Sequence, residues 1–288
     1  MSLKIAICGA TGLIGRSLSR QIIEEGGTVI PITRKDLFEG VHFLTERLLD
    51  VDVVVNLAGS PIMGRWTTRK KQSILSSRIQ TTRLLVLAVK RMENPPKIFI
   101  SASAVGIYDQ VEVHDEFSLN YAKDFLSDVC RFWEKETFKL NDTKVRPIIF
   151  RLGVVLSPNG GALQQMLLPF RFGLGAILGS GKQFFPWVHV DDVVKAIMWS
   201  LKHPRSKGIY NLVAPQIVRN YTFTITLGSI LKRPVFLRIP EWFLKIIFGE
   251  GAQVLTKGQQ VIPHRLLAAR FEFSFPRLKA ALIDTVKK

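Results

Sequence analysis

Only two cysteines occur in 288 residues, Cys8 and Cys130, which excludes a disulfide framework and a thiolate metal centre. The five histidines, at 42, 114, 189, 203 and 264, never fall in a ligand pair, so no metal is expected. No run of 18 apolar residues is present, and the N-terminus is strand-like, without a charged signal-peptide region. The expectation is a cytoplasmic protein with no membrane partner. Acidic residues are also sparse: 23 against 40 Lys and Arg, a formal net charge of +17. That excess is spread along the chain, its densest run being Arg69-Lys70-Lys71, and no aromatics interleave with it. A nucleic-acid partner is therefore not expected; a solvated basic surface that attracts an anionic cofactor is. Repeats and low-complexity linkers are absent.

Against those absences stands one strong local pattern. Ile5-Ala-Ile-Cys8 reads as a short buried strand running into Gly9-Ala-Thr11-Gly12-Leu13-Ile14-Gly15. Leu13, Ile14, Leu18, Ile22 and Ile23 then follow at helical spacing. Strand, glycine turn and helix in that order are the context of a dinucleotide fingerprint. Gly9 permits the tight turn, Gly12 lets backbone approach a pyrophosphate, and Gly15 lets the helix pack on the strand. The free N–H groups at the start of the helix then hold phosphate. The GxxGxxG spacing points to the short-chain dehydrogenase branch of Rossmann proteins.

A second strand, Thr28–Ile32, ends at Thr33-Arg34-Lys35. An acid at this end would bond a ribose 2′-hydroxyl and repel a 2′-phosphate. None occurs before Asp36, and Arg34 can grip a phosphate with two parallel N–H donors. The expected cofactor is thus NADP. Residues 36–50 read as a polar connection, and Val51–Leu57 as a buried parallel strand opening into Asn56-Leu57-Ala58-Gly59, a turn small enough to lie against the cofactor. A helix over about 68–92 carries Arg78. Lys97–Ile100 reads as a strand, with Ser101 and Ser103 just past its end, where ligands bind in doubly wound sheets.

Further helices are expected over about 124–138 and from Asp191 or Asp192, one of which caps it, to His203. Arg146–Leu152 and Gly208–Val213 read as strands. Gly179-Ser-Gly-Lys182 is not a phosphate-binding P-loop, since Ala176 and Gln183 stand where that motif needs Gly and Ser or Thr. The fold class is α/β, a doubly wound parallel sheet over 1–215 followed by a smaller, mostly helical substrate subdomain over 216–288, to which 156–182 contributes.

These residues together resemble the extended short-chain dehydrogenase/reductase superfamily. Within it the chain is similar to the atypical epimerase family, family 39U and its bacterial relatives. The resemblance is carried by Gly9–Gly15, Asn56–Gly59, Arg65-Trp66, Ser77-Arg78, Ser101–Val105, Arg151–Leu156, Leu178–Lys182 and Trp187–Asp192. In the tail Gly258–Pro263, Arg265–Ala268 and Phe273–Pro276 add to it. It implies NADP held by the glycine turn, Thr33, Arg34, Leu57, Ala58 and Arg78. Two departures are visible: Ser60 where the family carries Glu, and a shorter segment after the second strand.

Hydride-transfer members of the wider superfamily use Tyr and Lys at i and i+4 on one helix, the lysine lowering the tyrosine's pKa. Neither Tyr108, Tyr121, Tyr210 nor Tyr221 is followed by such a lysine. Registering the helix on Trp133-Glu134 puts Leu126 and Cys130 in those places. Ser103 remains to orient a ligand, and Tyr108 is the candidate acid. Two functional readings follow. One is an oxidoreductase or epimerase acting on a small molecule, a nucleotide sugar by fold analogy alone. The other is a non-catalytic NADP-binding protein that works through a protein partner.

Overall fold

The structure is a computed structural model and describes residues 3–287. Six parallel strands form the central sheet: β1 (Lys4–Cys8), β2 (Thr28–Ile32), β3 (Val53–Asn56), β4 (Ile98–Ala104), β5 (Arg146–Leu152) and β6 (Gly208–Leu212). Their spatial order is β6-β5-β4-β3-β1-β2. Order reverses between β1 and β3, which leaves a crevice at their carboxyl ends. Alternate residues serve opposite faces. Ile5 and Ile7 pack with α1 (Leu13–Glu24), while Ala6 and Cys8 join the core on the other face. Both faces being covered, the valine-rich β3 is wholly buried. Pro31 sits in β2, an edge strand, where the missing N–H costs no ladder bond.

The polar connection expected over 36–50 is instead two helices, α2 (Arg34–Glu39) and α3 (Val41–Arg47). Thr33 starts α2 through a reciprocal capping box with Asp36. Leu44 and Leu48 are fully buried in the core shared with Cys8 and Val54. Among the described residues β2 is the outermost strand on this side of the sheet.

Helix α4 (Thr68–Lys90) and α5 (Phe125–Phe138) cover the same face as α3. Beyond β5 come α6 (Ala162–Arg171), which the sequence reading did not foresee, and α7 (Val190–Lys202). The cap of α7 is corrected too. Neither Asp191 nor Asp192 accepts from its free amides; His189 does, its Nδ1 accepting from the Asp191 N–H at 3.2 Å. Asp192 points away and accepts from Ser274 and Phe275, fastening the tail to the sheet.

The tail contributes α8 (Asn220–Leu231), α9 (Glu241–Phe248), two short helices (Gln253–Thr256 and His264–Ala268) and α10 (Leu278–Lys287). Its own core joins Phe223, Leu227, Leu278 and Leu282 to Leu156, Leu163, Phe170 and Trp187 from before α7. Leu266 and Phe271 instead enter the main core beside β6. The expected Rossmann sheet with a helical C-terminal region is therefore what the chain forms. Among the described residues no helix is long and apolar enough to cross a membrane.

Candidate functional site

At the crevice the glycine turn meets the turn after β3, backbone against backbone. Gly9 has φ +90°, and an added Cβ would lie 3.0 Å from the Leu57 carbonyl carbon and 3.1 Å from Ala58 N. Gly12 N–H donates to Gly9 O at 3.0 Å and opens α1. At Gly15 a Cβ would collide with the Gly9 carbonyl oxygen and sit 2.8 Å from Ala10 Cα. The helix therefore rests directly on the turn. No side chain caps α1, and its first turn holds no acid. The amides of Leu13, Ile14 and Gly15 thus present the positive end of the helix to the crevice. The Thr11 carbonyl accepts from Arg16 Nη1 at 2.7 Å, which fixes the loop's shape.

On one flank, Thr33 and Arg34 sit at the end of β2. The Asp36 carboxylate is held inward by the Thr33 N–H (2.6 Å) and hydroxyl (2.9 Å), while Arg34 is exposed. Cys8, at the end of β1, has its thiol pushed up to about 12 by burial first and by the Asp36 charge second, so it stays protonated.

On the other flank, Leu57 N–H continues the sheet onto Cys8 O, and Ala58 N–H donates to Asn56 Oδ1. Asn56 is fixed in turn by Thr82 at 2.8 Å. A Cβ on Gly59 would lie 3.0 Å from the Arg78 guanidinium carbon. That guanidinium donates to the Ser60 carbonyl (3.1 Å) and Ile74 carbonyl (3.3 Å) and lies over the Trp133 ring. Among the described residues no carboxylate pairs with it, and burial holds its pKa below the ordinary arginine value. A half-buried arginine satisfied only by neutral oxygens, the two carbonyls and the Ser77 hydroxyl at 3.5 Å, leaves its charge unbalanced until an anion arrives. The glycine cradle, the uncapped helix and Arg78 fit a nucleotide's phosphates.

The serines lie differently from expectation. Ser101 and Ser103 are inside β4 rather than past its end, because the strand continues to Ala104. Ser101 Oγ donates to the Ala102 carbonyl. Ser103 Oγ donates to Glu134 Oε1 at 2.6 Å. Glu134, on α5, is also gripped by Arg151 of β5 through Nε (2.8 Å) and Nη2 (2.7 Å). Burial alone would lower the Arg151 pKa, but the hydrogen-bonded Glu134 carries it above the ordinary range. Arg151 Nη1 then donates to the Tyr108 hydroxyl at 2.6 Å.

Tyr108 is fully buried and stacked on His114. Its hydroxyl also lies 2.7 Å from the Asp115 carbonyl and 2.9 Å from Asn211 Oδ1. Desolvation pushes the phenol up to about 12 despite the opposing pull of Arg151. It remains protonated at neutral pH and is woven into the interior rather than into a cleft wall. Cys130 packs beside Tyr108 and Val105, its thiol pushed up to about 12 by burial and then by Glu134. Leu126 packs near Trp66.

Sequence reasoning gave no role to Glu134 and Arg151. Their signal was a charged residue inside the apolar strand Ile148-Ile-Phe-Arg151, which demands a buried partner. One further group appears only in three dimensions: His189, Asp191 and Asp284, with donor atoms within 4.8 Å of one another. The two carboxylates face opposite ring nitrogens, at 3.6 and 3.4 Å, and a single ion could take only one of these.

Residues 5–213 match the model of the NAD dependent epimerase/dehydratase family, and residues 239–285 match a domain of unknown function, DUF1731. An epimerase family protein of Staphylococcus saprophyticus is 35% identical over 97% of this chain and 98% of its own length. The crystal structure of human epimerase family protein SDR39U1 with NADPH superposes with a TM-score of 0.92 at 34% identity, covering 99% of this chain and all of that one. A nucleoside-diphosphate sugar epimerase from Corynebacterium glutamicum gives a TM-score of 0.79 at 29% identity, over 98% of this chain and 57% of that one.

Proposed function

The chain belongs to the NAD dependent epimerase/dehydratase family, and from that premise we propose that it binds NADP and acts as an oxidoreductase or epimerase on a small molecule. The observation that carries this reading is the half-buried Arg78 packed against Gly59, in the same turn whose Leu57 and Ala58 backbone meets Gly9 of the glycine turn. Gly9, Thr11, Gly12, Leu13, Ile14 and Gly15 would hold the pyrophosphate, with Leu57, Ala58, Gly59 and Ser101 lining the crevice floor. Thr33 and Arg34 would take the adenosine ribose and its 2′-phosphate. Asp36 supports NADP over NAD because its carboxylate is spent on capping α2 and Arg34 is left as the charge nearest the ribose. The human relative bound to NADPH points the same way.

When bound, the nicotinamide supplies a hydride donor or acceptor. Ser103 is the chain's group for orienting a substrate oxygen. Its proton rests on Glu134 in this structure, so it accepts from a substrate hydroxyl as it stands and donates to a substrate carbonyl once its hydroxyl rotates away from Glu134. Tyr108 is a positioning residue that anchors Arg151, and the proton for any hydride step comes from another group. The Corynebacterium relative supports a nucleotide sugar as the substrate class.

The second reading, an NADP-binding protein without turnover, is favoured by Leu126 and Cys130 in place of a Tyr/Lys pair and by the locked phenol of Tyr108. Single-turnover fluorescence of protein-bound NADPH, mixed with a panel of nucleotide-sugar and simple carbonyl acceptors, separates the two. Oxidation with any acceptor that fails with Ser103→Ala supports the enzyme. Binding without oxidation across the panel supports the regulatory reading.

A further inference from the structure

Half of the exposed large hydrophobic side chains among the described residues fall in two stretches where acid is nearly absent. Residues 160–190 contain two basic residues and no Asp or Glu; residues 216–249 contain five basic residues and a single acid, Glu241. Within the second stretch α9 reads Glu-Trp-Phe-Leu-Lys-Ile-Ile-Phe, and only Leu244 is buried. Trp242 is 63% exposed and Ile246 62%, while Phe236 and Phe172 are each 74% exposed. A short strand, Leu237–Ile239, pairs in parallel with Ala176–Leu178, which brings the chain just after Phe236 beside the segment that follows Phe172. Pro240 leads straight from that strand into α9. Within α9, Trp242 and Ile246 stand one turn apart and so share one exposed face. Arg171, Lys232, Arg233, Arg238 and Lys245 are exposed on the same segments, and Glu241 is paired with Lys245 at 2.8 Å.

An apolar patch of this kind marks an interaction surface. A second copy of the chain is a poor occupant, since it would set the same excess of cations against itself. An anionic bilayer supplies both needs. Its headgroup boundary accepts Trp and Ile, and its phosphates attract Lys and Arg, whose alkyl stems snorkel along the interface. We propose that this face, built from α9 and the segments carrying Phe236 and Phe172, docks peripherally on an anionic lipid bilayer. Trp242 and Ile246 enter the headgroup–acyl boundary. The docking does not depend on the cofactor reading.

The test is co-sedimentation of the full chain with phosphatidylcholine vesicles, with and without about one third phosphatidylglycerol. Binding at least about tenfold tighter to the anionic vesicles, weakening as salt rises, is the expected result. The Trp242→Ser/Ile246→Asp double variant should lose about tenfold or more of that binding while its urea midpoint and NADPH affinity stay unchanged. Equal binding to both vesicles, or none, overturns the proposal, and this comparison needs no variant. So does a double variant that binds like the wild type, which would leave general positive charge as the cause. A wild-type dimer that the double variant converts to monomer would assign the face to a second copy instead.

Discussion

Arg151 on β5 and Glu134 on α5 lock the sheet to its covering helix through two parallel hydrogen bonds of 2.8 and 2.7 Å, in an environment almost without solvent. The same pair holds Ser103 through Glu134 Oε1 and Tyr108 through Arg151 Nη1.

Breaking this pair from one side should be costly, because a buried charge is left without its partner. Glu134→Gln keeps an acceptor for Ser103 but strips the negative charge, and should cost about 3–5 kcal/mol in urea unfolding. Arg151→Met in the Glu134→Gln background should cost less than the two single effects added. An interaction energy of about 1.5 kcal/mol or more from the double-mutant cycle is expected. Additive losses would mean the pair is not coupled.

Gly15→Ala tests the contact between α1 and the glycine turn. The new methyl would overlap the Gly9 carbonyl, and both of its other neighbours are backbone atoms. The helix must lift, at about 1–3 kcal/mol of stability, and nucleotide affinity should fall with it, as calorimetric titration would show.

Arg78→Met should separate stability from binding. Removing a half-buried cation that has no carboxylate partner should leave the urea midpoint unchanged or raise it. NADPH affinity should fall by about tenfold or more, about 1.4 kcal/mol. A protein destabilised by the change, with binding intact, would make Arg78 a structural residue.

Glu116 gives the molecule a pH signature. Desolvation raises its pKa although the Asn211 and Arg265 amides bond to it. A carboxylic acid whose folded pKa lies above its unfolded one binds more protons when folded. Its contribution to stability is therefore greatest at low pH, and falls as pH rises from the ordinary carboxylate range through the raised value. The stability difference between wild type and Glu116→Gln, measured by urea unfolding from acid to neutral pH, should move against the wild type over that window. A pH-independent difference would remove burial as the cause.

How much of this was legible in the sequence depends on how local the constraint is. The glycine turn could be read directly, since each glycine answers a clash within a few residues. Helices α2 and α3 were misread because their faces are largely polar, although Thr33 three residues before Asp36 and the pair Leu44 and Leu48 carried the signal. The α7 cap was assigned to the aspartates on preference alone, whereas the tail's Ser274 and Phe275 amides claim Asp192. The bonds joining Ser103, Glu134, Arg151 and Tyr108 connect residues up to 43 positions apart. No window along the chain shows them. The commitment of the Tyr108 hydroxyl is likewise a property of packing.

On the proposed function, this crevice takes NADP and Arg34 reads its 2′-phosphate, which a titration decides. Wild type and Arg34→Glu are titrated with NADPH and with NADH by calorimetry. NADPH should bind at least about tenfold tighter than NADH to the wild type, with that preference lost in the variant, a change of about 1.4 kcal/mol or more. NADPH affinity unchanged in Arg34→Glu, or a wild type that binds neither nucleotide, would contradict it.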